Sequence, residues 1–200
     1  MPPRRLVLAS ASPRRLDLLS EAGYQPHVDP ADVDETPDPV MAPADNAARF
    51  AREKAQVVAA RHPGDVVIGA DTIVTIGREL LGKPADRADA ERMLRRLTGR
   101  MHQVVTCVHL PALDDWPATS LAVTTAVIFR ELDESEITGY LDSGEWDGKA
   151  GGYAVQGRAA AFTQAVMGSY SNVVGLPLCE VVEELKLRGL PPRLAHGRLP

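Results

Sequence analysis

A short apolar run that leads at once into a helix start is the feature that most constrains the fold of this chain. Residues 6–8 predict a buried strand, and Ser12 and Pro13 predict a helix cap followed by the first helical residue, which needs no N–H. Arg14 and Arg15 then fall in the first turn, where the helix dipole disfavours cations. This pattern favours an anion-binding site at a strand–helix junction, with two solvated arginines behind an ordinary cap as the alternative.

Length and composition restrict the remaining possibilities. The chain has 200 residues and is 44% hydrophobic, which suits one α/β domain or two small lobes that share a cleft. A net charge of −5 argues against a general nucleic-acid binder, and no apolar run approaches the roughly 18 residues of a membrane span. Cys107 and Cys179 are expected to be buried free thiols, because their spacing suggests neither a disulfide framework nor a zinc site. We therefore expect a cytoplasmic globular protein that binds neither nucleic acid nor a membrane.

Strands and helices alternate irregularly along the chain, which predicts an α/β or α+β class with a mixed sheet and flanking helices, of which we take α/β as the expectation. Asp45 and Asp133 are expected to cap two of the helices, and Gly99 to end another. We expect a single domain over residues 1–190 and a flexible tail over residues 191–200. The elements predicted after the first unit are strands at 24–28, 66–74, 103–110 and 121–129, helices at 44–61, 88–97, 133–142 and from 178 to 187, and an extended acidic loop at 29–43.

Two carboxylates stand out as candidates for chemistry. Asp71 interrupts an apolar strand, where an unpaired charge is costly. It is therefore either a structural carboxylate bonded to backbone N–H groups or a general base or metal anchor that faces a cleft. Glu35 lies in the acidic loop, where a solvated charge is the ordinary interpretation. If that loop folds over a phosphate site, Glu35 is suited to help hold Mg²⁺ together with substrate oxygens.

Only four of the 22 basic residues are lysine. Two of them lie in segments that could contact a phosphate, at 77–84 and 144–157. The segment 77–84 resembles a P-loop but ends in Pro84, which lacks the hydroxyl that would hold Mg²⁺, so Lys83 is expected to project a single ammonium from a loop. The glycine-rich segment 144–157 carries Lys149, suited to a phosphate, and Gln156, suited to a base edge. A flexible loop without function is the alternative for that segment.

The chain resembles the Maf-like nucleoside triphosphate pyrophosphatases over about residues 5–187. The resemblance implies an elongated mixed sheet with flanking helices and two lobes around a cleft, as in the inosine-triphosphate-pyrophosphatase type. It also implies hydrolysis of a nucleoside triphosphate to the monophosphate and pyrophosphate, a divalent cation (Mg²⁺ or Mn²⁺), and a homodimer. The segments that carry it, in the order of the family, are SASPRR at 10–15, AREKA at 51–55, GADTIV at 69–74, GKP at 82–84, HQVVT at 102–106, KAGGYAVQG at 149–157 and NVVGLPL at 172–178.

The resemblance also assigns roles by position. Asp71 looks like the proton acceptor that activates water for attack on the α-phosphorus, and Glu35 and Asp71 like the metal-binding pair. Seven residues match the positions at which the family binds the triphosphate. They are Ser10, Arg14, Arg15, Glu35, Lys54, Lys83 and Lys149. The positions that resemble the specificity residues of the branch that prefers dTTP and UTP are Arg14, Thr72 and Gln156.

Two other functions stay open on the sequence alone. One is a non-catalytic nucleotide-binding regulator of cell division or septation, and the other is an enzyme that removes modified nucleotides. The chain also departs from the common family pattern at 147–149, where Gly148 separates the acidic residue from the lysine, and at 158–162. Both departures lie beside the expected base pocket.

Overall fold

The computed structural model describes residues 4–193, which form one mixed seven-stranded sheet with helices on both faces. The strands are β1 (Leu6–Leu8), β2 (His27–Val28), β3 (Val66–Ile76), β4 (Glu79–Leu81), β5 (Met101–Leu110), β6 (Thr119–Phe129) and β7 (Thr163–Met167). The helices are α1 (Pro13–Glu21), α2 (Pro43–Arg61), α3 (Arg87–Leu97), α4 (Glu134–Asp142), α5 (Tyr170–Val174) and α6 (Leu178–Leu187), and short 3₁₀ turns lie at Ala150–Gly152 and Arg158–Ala161.

The long strand β3 joins a parallel part of the sheet to an antiparallel part. Its first residues pair with β1 in parallel as far as Ile68, and β2 lies beyond β1. From Gly69 onward β3 pairs on its other edge with antiparallel β5, followed by β6 and β7. On the β1 edge no strand follows until β4 pairs at Val74. Residues 69–73 therefore carry a strand on one edge only, at the point where the sheet changes direction.

Helix α2 covers one face of β3 at unusually close range. Its buried face is built from small side chains, including Ala51 and Ala55. At Gly69 a Cβ atom would lie 2.2 Å from the Ala51 carbonyl oxygen and 2.8 Å from the Ala55 Cβ. Only glycine leaves room for this contact, so Gly69 sets the distance between α2 and the sheet.

The opposite face of the sheet carries the main hydrophobic core. It includes His102, which is almost fully buried and packs edge-to-face against Phe129 and Tyr153. The His102 Nε2 lies 2.8 Å from the Tyr153 hydroxyl, and burial lowers the pKa of His102 to about 4. This histidine is therefore a neutral core residue.

Most of the expected elements are confirmed. The β1–α1 junction has Ser12 as N-cap residue and Pro13 at the first position, although the Ser12 side chain makes no capping hydrogen bond. Asp133 forms a capping box with Glu136, and Gly99 follows α3 with a φ of 66°. The two central predicted strands pair as β5 and β6, and the final helix begins after Pro177. The mixed α/β class is thus confirmed.

Three expectations are wrong in detail. Helix α2 begins at Pro43 after Ala42, so Asp45 lies inside the first turn instead of capping it, because proline at the first position already starts the helix. The strand expected at 24–28 is reduced to His27–Val28, since Pro26 has no N–H to donate. Cys179 is exposed rather than buried, because it lies off the α6 face that packs into the core; only Cys107 is buried.

Some expectations fall outside what the structure tests. The tail predicted at 191–200 lies beyond the described residues from position 194 onward. The division into one domain with two lobes over residues 1–190 stays a prediction. Among residues 4–193, no helix is both long and apolar enough to cross a membrane.

Strands β4 and β7 were not predicted, because each is short and lies at an edge of the sheet.

Candidate active site

A cleft lies along the open edge of β3. Its volume of about 440 Å³ is typical of a site for a small molecule, for which roughly 300–1,000 Å³ is usual. The walls come from the β1–α1 turn, the acidic loop before α2, the loop after β4, the glycine-rich segment and the turn after α5. All the residues predicted for the site line this one cleft, namely Ser10, Arg14, Arg15, Glu35, Lys54, Asp71, Thr72, Lys83, Lys149 and Gln156.

The charge of the cleft is opposite to that of the whole chain. Five cationic side chains line it, against the three carboxylates of Glu35, Asp71 and Asp147. The net charge of the chain is −5. A local excess of positive charge in a concave site attracts a ligand that carries several negative charges.

Lys54 connects the two carboxylates at the floor of the cleft. Its Nζ lies 2.8 Å from Asp71 Oδ1 and 2.9 Å from Glu35 Oε1, and only 9% of the side chain is exposed. Lys83 approaches Glu35 Oε2 at 3.5 Å from the loop after β4. Burial raises the pKa of Glu35, but the hydrogen bonds and charges of Lys54 and Lys83 outweigh it and hold that pKa below its usual value. Glu35 is therefore ionised at neutral pH.

Arg15 is buried and donates four hydrogen bonds to the protein. Its Nε donates to the Gly175 carbonyl oxygen at 2.8 Å, and its Nη1 donates to Ser10 Oγ at 2.9 Å and to the Ala70 carbonyl oxygen at 3.0 Å. Its Nη2 donates to Thr72 Oγ1 at 3.0 Å. The guanidinium thus joins the first turn of α1, β3 and the turn after α5, and orients two hydroxyl groups beside the cleft. Its contact with a triphosphate stays a prediction.

Arg14 differs from its neighbour. It lines the cleft and forms neither a hydrogen bond nor an ion pair with another residue of the described chain. The nearby Lys149 donates to the Asp147 carbonyl oxygen at 2.7 Å. Burial lowers the pKa of Lys149, and the charge of Arg14 lowers it further. Two cations therefore face the same space, an arrangement that favours an anion between them.

The glycine-rich segment is tied to the loop that carries Lys83. The Gly151 N–H donates to the Gly82 carbonyl oxygen at 2.9 Å, and Gly151 has a φ of 71°. A Cβ atom there would also lie only 3.0–3.1 Å from the Val74 side chain. Glycine at this position thus allows the two loops to form one wall, with Lys83 on one and the exposed Gln156 on the other.

Two supporting residues were not singled out from the sequence. Thr106 Oγ1 lies 3.0 Å from Thr72 Oγ1 and donates to the backbone carbonyl of Asn172 at 3.1 Å. Thr106 and Asn172 are fully buried. A signal was present, because a threonine within the apolar run at 104–108 needs a polar partner. Its register opposite Thr72 is visible only in the sheet.

The carboxylates suit a hard divalent cation that brings part of its own coordination shell. No cluster of three or more His, Cys, Asp or Glu side chains with metal-site geometry occurs among residues 4–193. Glu35 and Asp71 nevertheless both contact the Lys54 ammonium group, so their carboxylates lie close together. They supply the oxygen ligands that Mg²⁺ and Mn²⁺ prefer. Mg²⁺ is commonly held by one or two carboxylates together with substrate phosphates and water. The donor set therefore fits such an ion.

Comparison with known proteins identifies the family. The family model described as Maf-like protein matches residues 5–188. The chain belongs to the Maf family. This Maf protein is 53% identical to a dTTP/UTP pyrophosphatase of Caulobacter vibrioides, over 94% of this chain and 97% of that protein. It is 50% identical to proteins of the same name from Geobacter sulfurreducens (92% and 97% covered) and Paramagnetospirillum magneticum (94% and 98% covered).

Proposed function

We propose that this Maf protein hydrolyses dTTP and UTP to the nucleoside monophosphate and pyrophosphate. The observation that carries the proposal is a cationic cleft with Asp71 held at its floor beside Lys54. Relatives named dTTP/UTP pyrophosphatase match this chain at 50–53% identity over nearly its whole length, which supports the same reaction and the same substrates here.

Asp71 is the proposed general base. Its carboxylate takes a proton from a water molecule, the water oxygen bonds to the α-phosphorus, and the bond from that phosphorus to the oxygen bridging to the β-phosphorus breaks. Pyrophosphate leaves with the electron pair of that bond. Lys54 fixes the position of the carboxylate through the 2.8 Å contact and supplies positive charge close to the reacting group.

The cations of the cleft are proposed to bind the triphosphate. Arg14 and Lys149 have no carboxylate hydrogen-bonded to them in the described chain, and Lys83 reaches in from its exposed loop. Ser10, which accepts a hydrogen bond from Arg15, is placed to donate its own proton to a phosphate oxygen. Charge-assisted contacts of this kind are the strong ones in phosphate recognition.

Glu35 and Asp71 are proposed to hold a divalent cation, Mg²⁺ or Mn²⁺, when the nucleotide is bound. Such an ion neutralises charge on the leaving pyrophosphate. Lys54 lies between the two carboxylates, so its ammonium would exchange one carboxylate contact for a phosphate oxygen as the substrate enters.

The base is proposed to be recognised by Thr72 and Gln156, with Arg14 near the join between base and phosphates. Thymine and uracil share an N3–H donor flanked by two carbonyl acceptors. A side-chain amide and a hydroxyl oxygen can pair with this pattern, because both can accept the N3–H hydrogen bond and the amide can also donate to a carbonyl. Both residues line the cleft, and Gln156 is exposed within it.

One assay separates the proposed function from its rivals. Pyrophosphate release is measured with dTTP, UTP, CTP, ITP and 7-methyl-GTP, each with Mg²⁺ or Mn²⁺. We expect the highest kcat/KM for dTTP and UTP, and no turnover when the metal is chelated. Nucleotide binding without release would instead indicate a non-catalytic regulator, and preferential turnover of ITP would indicate an enzyme for modified nucleotides.

The homodimer and the cytoplasmic location implied at the outset stay predictions. Light scattering of the purified protein, with and without nucleotide, measures its mass in solution. We expect twice the mass of the 21.5 kDa chain. A mass equal to one chain at micromolar concentration would contradict the dimer without touching the proposed reaction.

A further inference from the structure

A line of hydroxyl groups runs from the cleft into the sheet. Thr72 on β3 and Thr106 on β5 are cross-strand partners, and their Oγ1 atoms lie 3.0 Å apart. Thr72 is half-buried and lines the cleft, whereas Thr106 is fully buried behind it. Of the two, only Thr72 can therefore touch a ligand.

The neighbours of these two hydroxyls fix the direction of their protons. Arg15 Nη2 can only donate, so Thr72 Oγ1 accepts at 3.0 Å. The backbone carbonyl of Asn172 can only accept, so Thr106 donates to it at 3.1 Å. With the Thr106 proton used in this way, the Thr72 proton is free to point to Thr106 Oγ1. The other acceptor near Thr72, the Gly175 carbonyl, is farther away at 3.4 Å and already takes the Arg15 Nε–H at 2.8 Å.

The opposite proton direction is disfavoured. If Thr106 donated to Thr72, the buried Asn172 carbonyl would lose this hydrogen bond, and an unpaired buried acceptor is costly. Both acceptor positions of Thr72 would then be taken from inside the protein, by Arg15 and Thr106. In the favoured direction Thr72 keeps one free lone pair and no free proton.

We propose that Thr106 is a positioning residue that makes Thr72 a pure hydrogen-bond acceptor for the N3–H of thymine and uracil. The proposal rests on the proposed function and deepens it. Cytosine carries no hydrogen on N3, so its N3 lone pair meets the lone pair of Thr72. A site built to accept a particular N–H strongly rejects an analogue that lacks it.

The test compares kcat/KM for dTTP with that for CTP in four proteins. Thr106→Val removes the hydroxyl with little change in shape, so the Thr72 proton is released and can turn toward the cytosine N3. We expect the dTTP-to-CTP ratio to fall by about tenfold, the size of one mispaired hydrogen bond. Thr106→Ser restores the hydroxyl and is expected to keep the wild-type ratio.

Thr163→Val is the control. Thr163 lies half-buried on β7, and its hydroxyl donates to the Ala159 carbonyl oxygen at 2.8 Å, apart from the hydrogen bonds that join Thr72, Thr106 and Asn172. Its loss should lower stability and leave the dTTP-to-CTP ratio unchanged. An unchanged ratio in Thr106→Val, or an equal change in Thr163→Val, would overturn the role of Thr106.

A second readout is independent of turnover. The hydroxyl proton of Thr72 is expected to exchange slowly with water and to show a nuclear Overhauser effect to the Thr106 methyl group by NMR, and to lose that signal in Thr106→Val. If the wild type releases no pyrophosphate but shows this signal, the proposed function fails and the proton arrangement stands. If the wild type hydrolyses dTTP and CTP equally well, or the signal is absent, the proposal about Thr106 fails.

Discussion

The two faces of β3 meet the cleft in different ways. Because side chains alternate along a strand, Asp71 points to the α2 face with Gly69, and Thr72 points to the opposite face. On the α2 face the polar contacts are ion pairs, in which Lys54 joins Asp71 to Glu35. On the opposite face they are directional hydrogen bonds, which run from Arg15 through Thr72 into the sheet.

This difference separates two tasks. An ammonium between carboxylates can exchange one oxygen for another at little geometric cost, so the α2 face can accept phosphate and metal during a reaction. A guanidinium with four protein acceptors cannot turn toward a ligand without breaking buried hydrogen bonds. We infer that side chains on the α2 face take part in the reaction, and that side chains on the opposite face fix the shape of the cleft and select the base.

The sharpest way to break this comparison is Asp71→Asn. The amide cannot accept the proton from water, so kcat should fall by about a thousandfold, within the 10²–10⁴ usual for a general base. The KM for dTTP should change by only a few-fold, because the lysine and arginine contacts to the triphosphate remain and Glu35 still offers a carboxylate to the divalent cation. Pyrophosphate release under single-turnover conditions measures the effect. If the variant turned over at the wild-type rate, Asp71 would not be the general base, and the reaction could not be assigned to the α2 face.

A smaller effect is expected from the two lysines that contact Glu35. Lys54→Met leaves Glu35 and Asp71 without the cation between them, and we expect kcat/KM to fall by roughly a hundredfold, because the largely buried Asp71 carboxylate loses its partner. The Lys83 side chain is 64% exposed, so Lys83→Met should cost about tenfold. Steady-state kinetics with dTTP compare the two variants, and circular dichroism checks that both are folded. Equal losses would show that burial of Lys54 has no special role.

The close approach of α2 gives a prediction about stability. In Gly69→Ala the new methyl group overlaps the backbone of α2, so we expect the free energy of unfolding to fall by about 3 kcal/mol. Gly139→Ala, in α4, is the control, because a Cβ there meets nothing within 4 Å and alanine favours the helix. Urea unfolding measures both. Equal stability of the two variants would mean that α2 can move away from the sheet freely.

The smallest expected effect is a pH dependence of stability that arises from His102, which lies on the face of the sheet opposite α2. The pKa of His102 is lowered to about 4 in the folded protein, so the unfolded chain binds the proton more readily. Its contribution to stability is complete above pH 6.5 and is lost as the pH falls toward 4. Between pH 7 and pH 5 this amounts to about 2 kcal/mol.

His102→Gln should remove that part of the pH dependence, whereas His27→Gln, at an exposed position, should leave it unchanged. Urea unfolding at pH 7 and pH 5 gives the comparison for the wild type and both variants. The same acid loss in wild type and His102→Gln would show that His102 does not titrate between the folded and unfolded states in this range.

Local patterns predicted the β1–α1 junction and singled out Asp71, Lys83, Lys149 and Gln156, whereas Lys54 and Thr72 entered the predicted site only through the family resemblance. Pro13 marks the start of α1, and an aspartate in an apolar strand marks the floor of the cleft. The distinct surroundings of Arg14 and Arg15 were not predictable, because they depend on Gly175, which is 160 residues away from Arg15. Nor was the link from Thr72 to Thr106, which depends on strand register.

The open edge of β3 at residues 69–73 has a consequence for how occupancy of the cleft can be observed. A strand that lacks a neighbour on one side leaves part of its backbone to solvent, apart from the Ala70 carbonyl that Arg15 covers. A bound nucleotide would occupy the place of the missing strand. The amides of Ala70 and Thr72 lie on this open edge, whereas those of residues 69, 71 and 73 point to β5. Deuterium uptake at Ala70 and Thr72 should then slow on binding while uptake in β6 stays constant, even in a variant that cannot turn over.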